Sequence, residues 1–355
     1  MWGKMKISFT KMQGAGNDYV YINAADIDVP DGEMPELVRK LSDRHFGIGG
    51  DGVIVIAKGH TPIGRDAENG QKRGDPAQFE MIMYNQDGSR GEMCGNGIRC
   101  VGKYVYDHDM IPGVDRSENE PVTVTIESAG MVKYLKLYPE DRAVKTARVD
   151  MGEPVLHAAD VPVDTGILKA NKKTVMSAGM SPSAAGTEES ACAAASSSGK
   201  TEDAAAAVAS PLEVLGRTYS VTAVSMGNPH AVVFAEELDL PDGDLWKWDI
   251  TKLGPAFENH PAFPRRVNTE FVKVLDREHA EMRVWERGSG ETLACGTGCC
   301  AAAVACVLNG RTERKLEVRV AGGTLLIEWD EETGHVFMTG PAVTVFEGTV
   351  DTEEL

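Results

Sequence analysis

Short segments of alternating or continuous apolar residues dominate this chain, and such segments are typical of β-strands. They are Phe79–Tyr84, Val122–Ile126, Val132–Leu137, Ala231–Phe234, Glu270–Leu275, Leu316–Val320 and Thr324–Trp329. Two longer segments, Gly95–Tyr106 and Gly296–Leu308, predict buried helices, and each directly follows a cysteine. The pattern therefore predicts an α/β (α+β) protein with many strands and few helices.

The two halves of the chain share an internal repeat. Asn85 precedes Cys94 by nine residues, and Glu286 precedes Cys295 by the same nine. The other matched features, in order, are Gly16-Asn17 and Gly227-Asn228, the helix-like segments Pro35–His45 and Asp249–Asn259, the turns Gly88-Ser89 and Gly288-Ser289, and the turns Ala129-Gly130 and Ala321-Gly322. Because order and spacing agree together, we expect two copies of one α/β unit facing each other.

Composition narrows the class of protein. A chain of 355 residues suits two domains. With 36 Lys and Arg against 54 Asp and Glu, its net charge of −18 argues against a nucleic-acid binder. No apolar run approaches the ~20 residues that span a bilayer, and the N-terminus lacks a signal core. We therefore expect a cytoplasmic protein without membrane or nucleic-acid partners, whose seven cysteines are reduced thiols.

One segment, residues 176–211, is rich in Ala, Ser, Gly and Thr and has almost no large apolar side chain. Its composition predicts a flexible, exposed insertion, with Cys192 incidental within it.

The matched cysteines suggest the chemistry. Cys94 and Cys295 each stand just before a glycine-flanked helix start, where free N–H groups and the helix dipole favour an anion. We expect this position to lower their thiol pKa towards neutrality. Two facing thiols, one removing a proton and the other delivering one, suit stereoinversion at a carbon atom. The cysteines inside the helices are read as core filler; they are Cys100, Cys299, Cys300 and Cys306.

Other motifs carry weaker signals. A zinc site is disfavoured, because the chain has no C-x-x-C and no histidine at ligand spacing. Gly47–Gly52 fits G-x-G-x-x-G, but the strand-like Val53–Ile56 follows where a helix is required, so we predict a turn near a ligand rather than a dinucleotide site. Asn17 and Asn228 form a matched pair for which we favour a role in the site. A role in the site is also favoured for His230, because it lies two residues beyond Asn228.

Several stretches closely resemble diaminopimelate epimerase, the cofactor-independent enzyme of lysine and peptidoglycan-precursor synthesis. The resemblance extends over nearly the whole chain except the Ala/Ser-rich segment, and the two cysteine motifs are highly specific. The matching stretches are Phe9–Val20, Arg44–Gly52, Asn85–Cys100, Met226–His230, Arg266–Phe271 and Val284–Gly298.

The resemblance implies that Cys94 and Cys295 are the paired acid and base that epimerise LL- to meso-diaminopimelate without pyridoxal phosphate or metal. It implies that His230 and Glu286 tune the thiols and hold the ammonium group. Implied substrate contacts are Asn17, Asn85, Asn228, Asn268, Glu286 and Arg287, with Gly95, Asn96, Gly296 and Thr297 around the carboxylate. It also implies a homodimer.

The implied fold has two pseudo-symmetric, barrel-like domains, each around a central helix. Residues 1–149 form the first, residues 150–340 the second, and residues 341–355 a final strand returning to the first. The chain departs from the family at two positions. Some relatives have a substrate-binding glutamine where Gly52 stands, so only its backbone can serve here. Relatives often carry tyrosine at the position of Phe346 in the dimer segment.

Three alternatives remain at this stage. A proline or hydroxyproline racemase of the same superfamily carries histidine after the first Cys-Gly, where this chain has Asn96. A thiol redox or metal-binding protein lacks support, because the two cysteines are 201 residues apart. A non-catalytic binding protein on the same fold would not require both thiols.

Overall fold

A computed structural model describes residues 4–65, 72–168 and 206–355. Most of the predicted insertion, including Cys192, lies outside these residues. The helices are α1 (Met34–Ser42), α2 (Gly95–Asp107), α3 (Gly254–Glu258) and α4 (Gly296–Leu308). None of them is long and apolar enough to cross a membrane.

The strands of the first half are β1 (Lys6–Gly14), β2 (Asn17–Asn23), β3 (Gly52–Lys58), β4 (Pro62–Arg65), β5 (Lys72–Pro76), β6 (Phe79–Asn85), β7 (Arg90–Gly91), β8 (Val122–Ser128), β9 (Met131–Glu140) and β10 (Ala143–Gly152). Those that follow are β11 (Ser210–Val214), β12 (Arg217–Ser225), β13 (Pro229–Phe234), β14 (Asn268–Val274), β15 (His279–Glu286), β16 (Gly290–Thr292), β17 (Lys315–Val320), β18 (Gly323–Trp329), β19 (Val336–Pro341) and β20 (Val343–Asp351). Every strand and both long helices predicted from the sequence are present, with ends shifted by a few residues.

The repeat is visible in the strand pairing. The first half runs β1, β2, β3, β6, β8, β9, β10, and the second runs β12, β13, β14, β15, β17, β18, β19 in the same relative order. The parallel pairs also correspond, because β2·β3 and β6·β8 match β13·β14 and β15·β17. β10 and β19 join the halves, β20 pairs with β1, and β11 pairs with β12.

The strands of each half surround its central helix. α2 packs against β1, β2, β8, β9 and β10, while α4 packs against β12, β13, β14, β17 and β18. Both helices contribute to one continuous apolar core, so their sides are buried. Only their ends are available for chemistry.

One prediction was wrong at its C-terminal edge. Residues 206–211 were expected to be exposed, yet Ala207 and Val208 are buried and β11 begins at Ser210. The backbone explains the difference, because Ala223 N donates to the Ala207 carbonyl and the Ala209 N–H donates to Thr222 Oγ1. Hydrogen bonding to β12 draws this small-residue segment against the sheet.

Candidate active site

Cys94 is the N-cap residue of α2. Its extended backbone ends the preceding loop, and its sulfur accepts a hydrogen bond from Gly97 N at 3.2 Å. The thiol in turn donates to Asn17 Oδ1 at 3.0 Å. A free N–H of the first helical turn therefore contacts the sulfur, as expected at a helix start.

Cys295 occupies the same position on α4. Its backbone is extended, Gly298 N donates to its sulfur at 3.4 Å, and Thr297 Oγ1 lies 3.5 Å from the sulfur. The local repeat predicted from the sequence is thus reproduced in hydrogen-bond geometry.

The N-termini of the two helices meet. A methyl group built on Gly296 would lie 3.5 Å from the Gly95 Cα, and Met338 lines the same contact. Asn96 Nδ2 approaches the Ala294 carbonyl at 3.5 Å across the halves. Two sets of helix N–H groups therefore converge on one region, which favours a bound carboxylate.

On the Cys94 side, the Asn17 amide is oriented by an acid. Asn17 Nδ2 donates to Asp51 Oδ2 at 2.7 Å, which leaves its oxygen to accept the thiol proton of Cys94. Arg44 holds Asp51 at 2.9 Å, so the carboxylate is fixed from its other side. Asp51 was not among the residues predicted from the sequence.

On the Cys295 side, a histidine orients the equivalent amide. His230 Nε2 lies 3.0 Å from Asn228 Oδ1, and its Nδ1 lies 2.7 Å from Glu270 Oε1. His230 and Glu270 are both fully buried. The two matched asparagines thus have different partners, an acceptor at Asn17 and an imidazole at Asn228. The ring of His230 hydrogen-bonds Glu270 and Asn228 rather than either thiol.

The remaining predicted polar residues lie at strand ends: Asn268 begins β14, Glu286 ends β15 with Arg287 directly after it, and Asn85 ends β6. Asn268 Oδ1 accepts from Arg287 N at 2.8 Å, and the Arg287 guanidinium reaches a backbone carbonyl at 3.1 Å. Glu286 accepts a short hydrogen bond from Thr292. Asn85 Nδ2 donates to a serine hydroxyl at 3.0 Å.

Gly52 is enclosed by backbone. It pairs with Asn85 across β3 and β6, and a methyl group at Gly52 would lie 2.0 Å from the Tyr84 carbonyl oxygen and 2.9 Å from the Tyr19 ring. No side chain fits there, so only the backbone of this residue can take part in binding.

The expected low thiol pKa is wrong for both cysteines. Burial raises the pKa of Cys94 to about 11, although the Gly97 and Asn96 N–H groups lower it. Burial, followed by the charges of Glu286 and Glu270, raises the pKa of Cys295 well above its ordinary value. Desolvation of the charged form exceeds the stabilisation from helix N–H groups. The pKa of Glu286 is itself raised by burial.

The other described cysteines pack in the hydrophobic core, as predicted from the sequence. Their thiols are free and buried, and they pack inside the two central helices; they are Cys100, Cys299, Cys300 and Cys306.

A candidate set of metal ligands lies outside the predicted site. In the described parts of the chain, His60, Glu80 and Glu127 bring three such groups together. Glu127 already accepts from the backbone N–H groups of His60 and Thr61 at 3.0 and 2.6 Å, and His60 Nδ1 lies 2.5 Å from it. These contacts anchor the loop before β4.

Sequence reasoning missed three charged residues: Asp51, Arg99 and Glu270. Glu270 stands two residues beyond Asn268, so the period of two of a strand signals a shared face. Arg99 is four residues, or about one helical turn, beyond Gly95, and this spacing indicates that its side chain lies close to the N-terminus of the helix.

Comparison with known proteins agrees with this geometry. Residues 9–157 and 222–345 match the family described as diaminopimelate epimerase. Diaminopimelate epimerase of Desulfovibrio desulfuricans is 47% identical over 344 residues, which cover 96% of this chain and 97% of that protein. Diaminopimelate epimerase of Acetivibrio thermocellus is 44% identical over 348 residues, covering 98% and 99%.

Solved structures show the fold alone. A hydroxyproline epimerase from Agrobacterium vitis has a TM-score of 0.58 at 13% identity, covering 99% of this chain and 94% of that one. A methylitaconate-delta-isomerase has a TM-score of 0.57 at 13% identity, covering 99% and 96%. The predicted fold class, with its two pseudo-symmetric units, is confirmed.

Proposed function

The chain belongs to the diaminopimelate epimerase family and is an amino-acid epimerase, and we propose that Cys94 and Cys295 are the two bases with which it interconverts LL- and meso-diaminopimelate. The observation that carries the proposal is the matched pair of thiols at the converging N-termini of α2 and α4. The product serves lysine and peptidoglycan-precursor synthesis.

The reaction is a proton transfer through the α-carbon. One cysteine, as thiolate, takes the α-proton, and the bonding electron pair stays on the α-carbon and its carboxylate. The other thiol delivers its proton to the opposite face, so the two sulfurs exchange protonation states and the substrate changes configuration. The N–H groups of Gly97 and Gly298 support whichever sulfur is ionised.

The rest of the site supplies binding groups. Gly95, Asn96, Gly296 and Thr297 belong to the first turns of the two helices and suit the reacting carboxylate. Burial raises the pKa of Glu286, and a bound ammonium group would favour its ionised form, so this carboxyl suits the ammonium group. His230 acts on the Cys295 side through Asn228. The remaining proposed contacts are Asn17, the Gly52 backbone, Asn85, Asn228, Asn268 and Arg287.

Proton exchange tests the proposal directly. In heavy water, LL-diaminopimelate is expected to epimerise with deuterium at the α-carbon, whereas L-proline and trans-4-hydroxy-L-proline stay unchanged. Cys94→Ala and Cys295→Ala are each expected to lose turnover. Cys306→Ala, a buried thiol at the far end of α4, is the matched control. Full turnover in both site variants would contradict the two-base mechanism.

A homodimer is proposed on a different observation. Val343, Val345 and Phe346 of β20 are 40, 55 and 45% exposed, which leaves an apolar strip on the strand that pairs with β1. A second copy of the chain fits this strip, because an isologous interface pairs identical apolar patches. Sedimentation is expected to give a dimer for the wild type and a monomer for Phe346→Glu. Leu215→Glu, at an exposed leucine elsewhere, should stay dimeric.

We also propose the domain division 1–149 with 341–355, and 150–340, and a cytoplasmic location. The pairing of β20 with β1 supports the return of the last segment to the first half.

A further inference from the structure

Arg99 is a fully buried arginine whose hydrogen-bond acceptors are all uncharged. Its Nε donates to the Pro341 carbonyl at 3.3 Å, its Nη1 to the Gly95 carbonyl at 3.1 Å, and its Nη2 to Asn96 Oδ1 at 2.9 Å. Its Nη1 also approaches Met338 Sδ at 3.5 Å. In the described ranges 4–65, 72–168 and 206–355, no carboxylate forms an ion pair with it.

This arrangement is costly, because a buried charge is stable only when it is paired. Other buried charges nearby have partners. Lys103, one turn further along α2, pairs with Asp107 at 2.5 Å, and Glu270 contacts His230 at 2.7 Å. Burial lowers the pKa of Arg99, yet guanidinium groups remain protonated in proteins. A permanent positive charge therefore lies inside the protein without a carboxylate partner in the described part of the chain.

Two glycines leave room for the Arg99 guanidinium. Methyl groups built on Gly14 and Gly340 would lie 3.2 and 3.0 Å from atoms of the guanidinium, so glycines on β1 and β19 leave room for it. The group sits behind the first turn of α2, where it holds the Gly95 carbonyl and the Asn96 side chain.

The internal repeat is broken at this position. Arg99 follows Cys94 by five residues, and the residue five beyond Cys295 is Cys300. One cation therefore stands at the junction that both helices share, and its pseudo-symmetric counterpart is a neutral thiol.

We infer that Arg99 is a positioning residue for the epimerisation, and that its buried charge is compensated by the substrate's reacting carboxylate. The inference rests on the proposed function. When a thiolate removes the α-proton, negative charge spreads from the α-carbon onto that carboxylate, and a fixed cation behind the helix ends stabilises the added charge without giving up a proton. Through Asn96 the same guanidinium orients an amide beside the carboxylate.

The test compares three substitutions at Arg99. Arg99→Met removes the charge and every hydrogen-bond donor. Arg99→Gln keeps hydrogen-bond donors without the charge, and Arg99→Lys keeps the charge without the planar, forked donor geometry of the guanidinium. Each variant is checked for folding by circular dichroism and thermal melting, and kcat and KM are measured with LL-diaminopimelate. Arg283→Met, which removes a largely buried arginine of β15, is the control for loss of a buried arginine.

We expect Arg99→Met and Arg99→Gln to lower kcat by about 100-fold, comparable to loss of a transition-state donor. Arg99→Lys should recover at least about tenfold of that loss, because charge is the main requirement. Arg283→Met should keep the wild-type kcat. A merely structural role would change melting temperature without this split between Lys and Gln.

Folded Arg99→Met or Arg99→Gln enzyme with kcat within about threefold of wild type would overturn the inference. So would an unfolded Arg99→Lys variant, because it would show that the fork geometry serves folding. Wild-type turnover measured in parallel separates the two proposals. If the wild type fails to epimerise diaminopimelate, the proposed function fails, whereas active Arg99 variants beside an active wild type refute only the role of Arg99.

Discussion

Gly97 and Gly298 occupy equivalent positions three residues after the two cysteines, and alanine at each is expected to have unequal effects. Both glycines lie in the first turns of their helices, where alanine is favoured over glycine by about 1 kcal/mol. The difference must therefore come from what the added methyl group meets.

At Gly298 the methyl group would lie 2.7 Å from Glu270 Oε1. The same oxygen contacts His230 at 2.7 Å, and both side chains are fully buried, so the Glu270 carboxylate cannot move away from the added methyl group. Overpacking of a core costs about 1–3 kcal/mol, and straining the buried contact between Glu270 and His230 adds to it. After the helix gain, we expect Gly298→Ala to lower the free energy of unfolding by about 2 kcal/mol or more.

At Gly97 the methyl group would lie 2.8 Å from Ile54 Cδ1. Ile54 occupies the position on β3 that Glu270 occupies on β14, but the contacting atom is the end of an apolar side chain that can rotate. The overpacking cost is near its lower limit and the helix gain offsets it, so the net change should stay within about 1 kcal/mol.

Urea unfolding of both variants, followed by circular dichroism, measures the two free energies. Turnover should fall in both, because each methyl group also lies 3.3–3.4 Å from the adjacent sulfur. If Gly97→Ala proves as destabilising as Gly298→Ala, the assigned difference between Ile54 and Glu270 is incorrect.

Three further outcomes are expected. Gly52→Ala should lose folded, active enzyme, because its methyl group would clash with the Tyr84 carbonyl at 2.0 Å; recovery of native melting and turnover would refute this. Asp51→Asn should lower the pKa of Cys94, because it removes a negative charge close to the thiol; faster iodoacetamide labelling of Cys94, mapped by peptide analysis, checks it, and unchanged labelling would contradict it. Burial raises the pKa of the buried thiols above that of a thiol in the unfolded chain, so the folded protein keeps its full stability below about pH 8.5. Between about pH 8.5 and pH 11 the free energy of unfolding should fall by about 1.4 kcal/mol per pH unit for each thiol. A free energy of unfolding that stays constant over this window would contradict the prediction.

Local sequence patterns were sufficient to predict most of the strands, the two central helices and the internal repeat. Alternation at period two identified β6, β8, β9, β17 and β18, and the cysteine-glycine starts located α2 and α4. These features depend on residues close in sequence, so they can be read without knowing what packs around them. The matched nine-residue spacing before Cys94 and Cys295 belongs to the same class of information.

Tertiary structure decided the electrostatics of the site. The helix starts predicted a lowered thiol pKa, but segments distant in sequence enclose Cys94 and Cys295 and remove water from them, which reverses the direction. The same enclosure left Arg99 without a carboxylate partner among the residues that the structure describes. The desolvation of a thiol depends on all the groups packed around it, including those distant in sequence, so a local sequence pattern cannot predict it.

Tertiary structure also differentiated the two copies of the repeat. The matched residues Asn17 and Asn228 look equivalent in sequence, yet Asp51 orients one amide and His230 orients the other. Residues 206–211 were predicted to belong to an exposed insertion because small side chains carry no periodic signal, and hydrogen bonding to β12 buries Ala207, Val208 and Ser210. A sequence determines which groups recur; the partner that each group meets is determined by packing between distant segments, and that packing sets charge and hydrogen-bond direction.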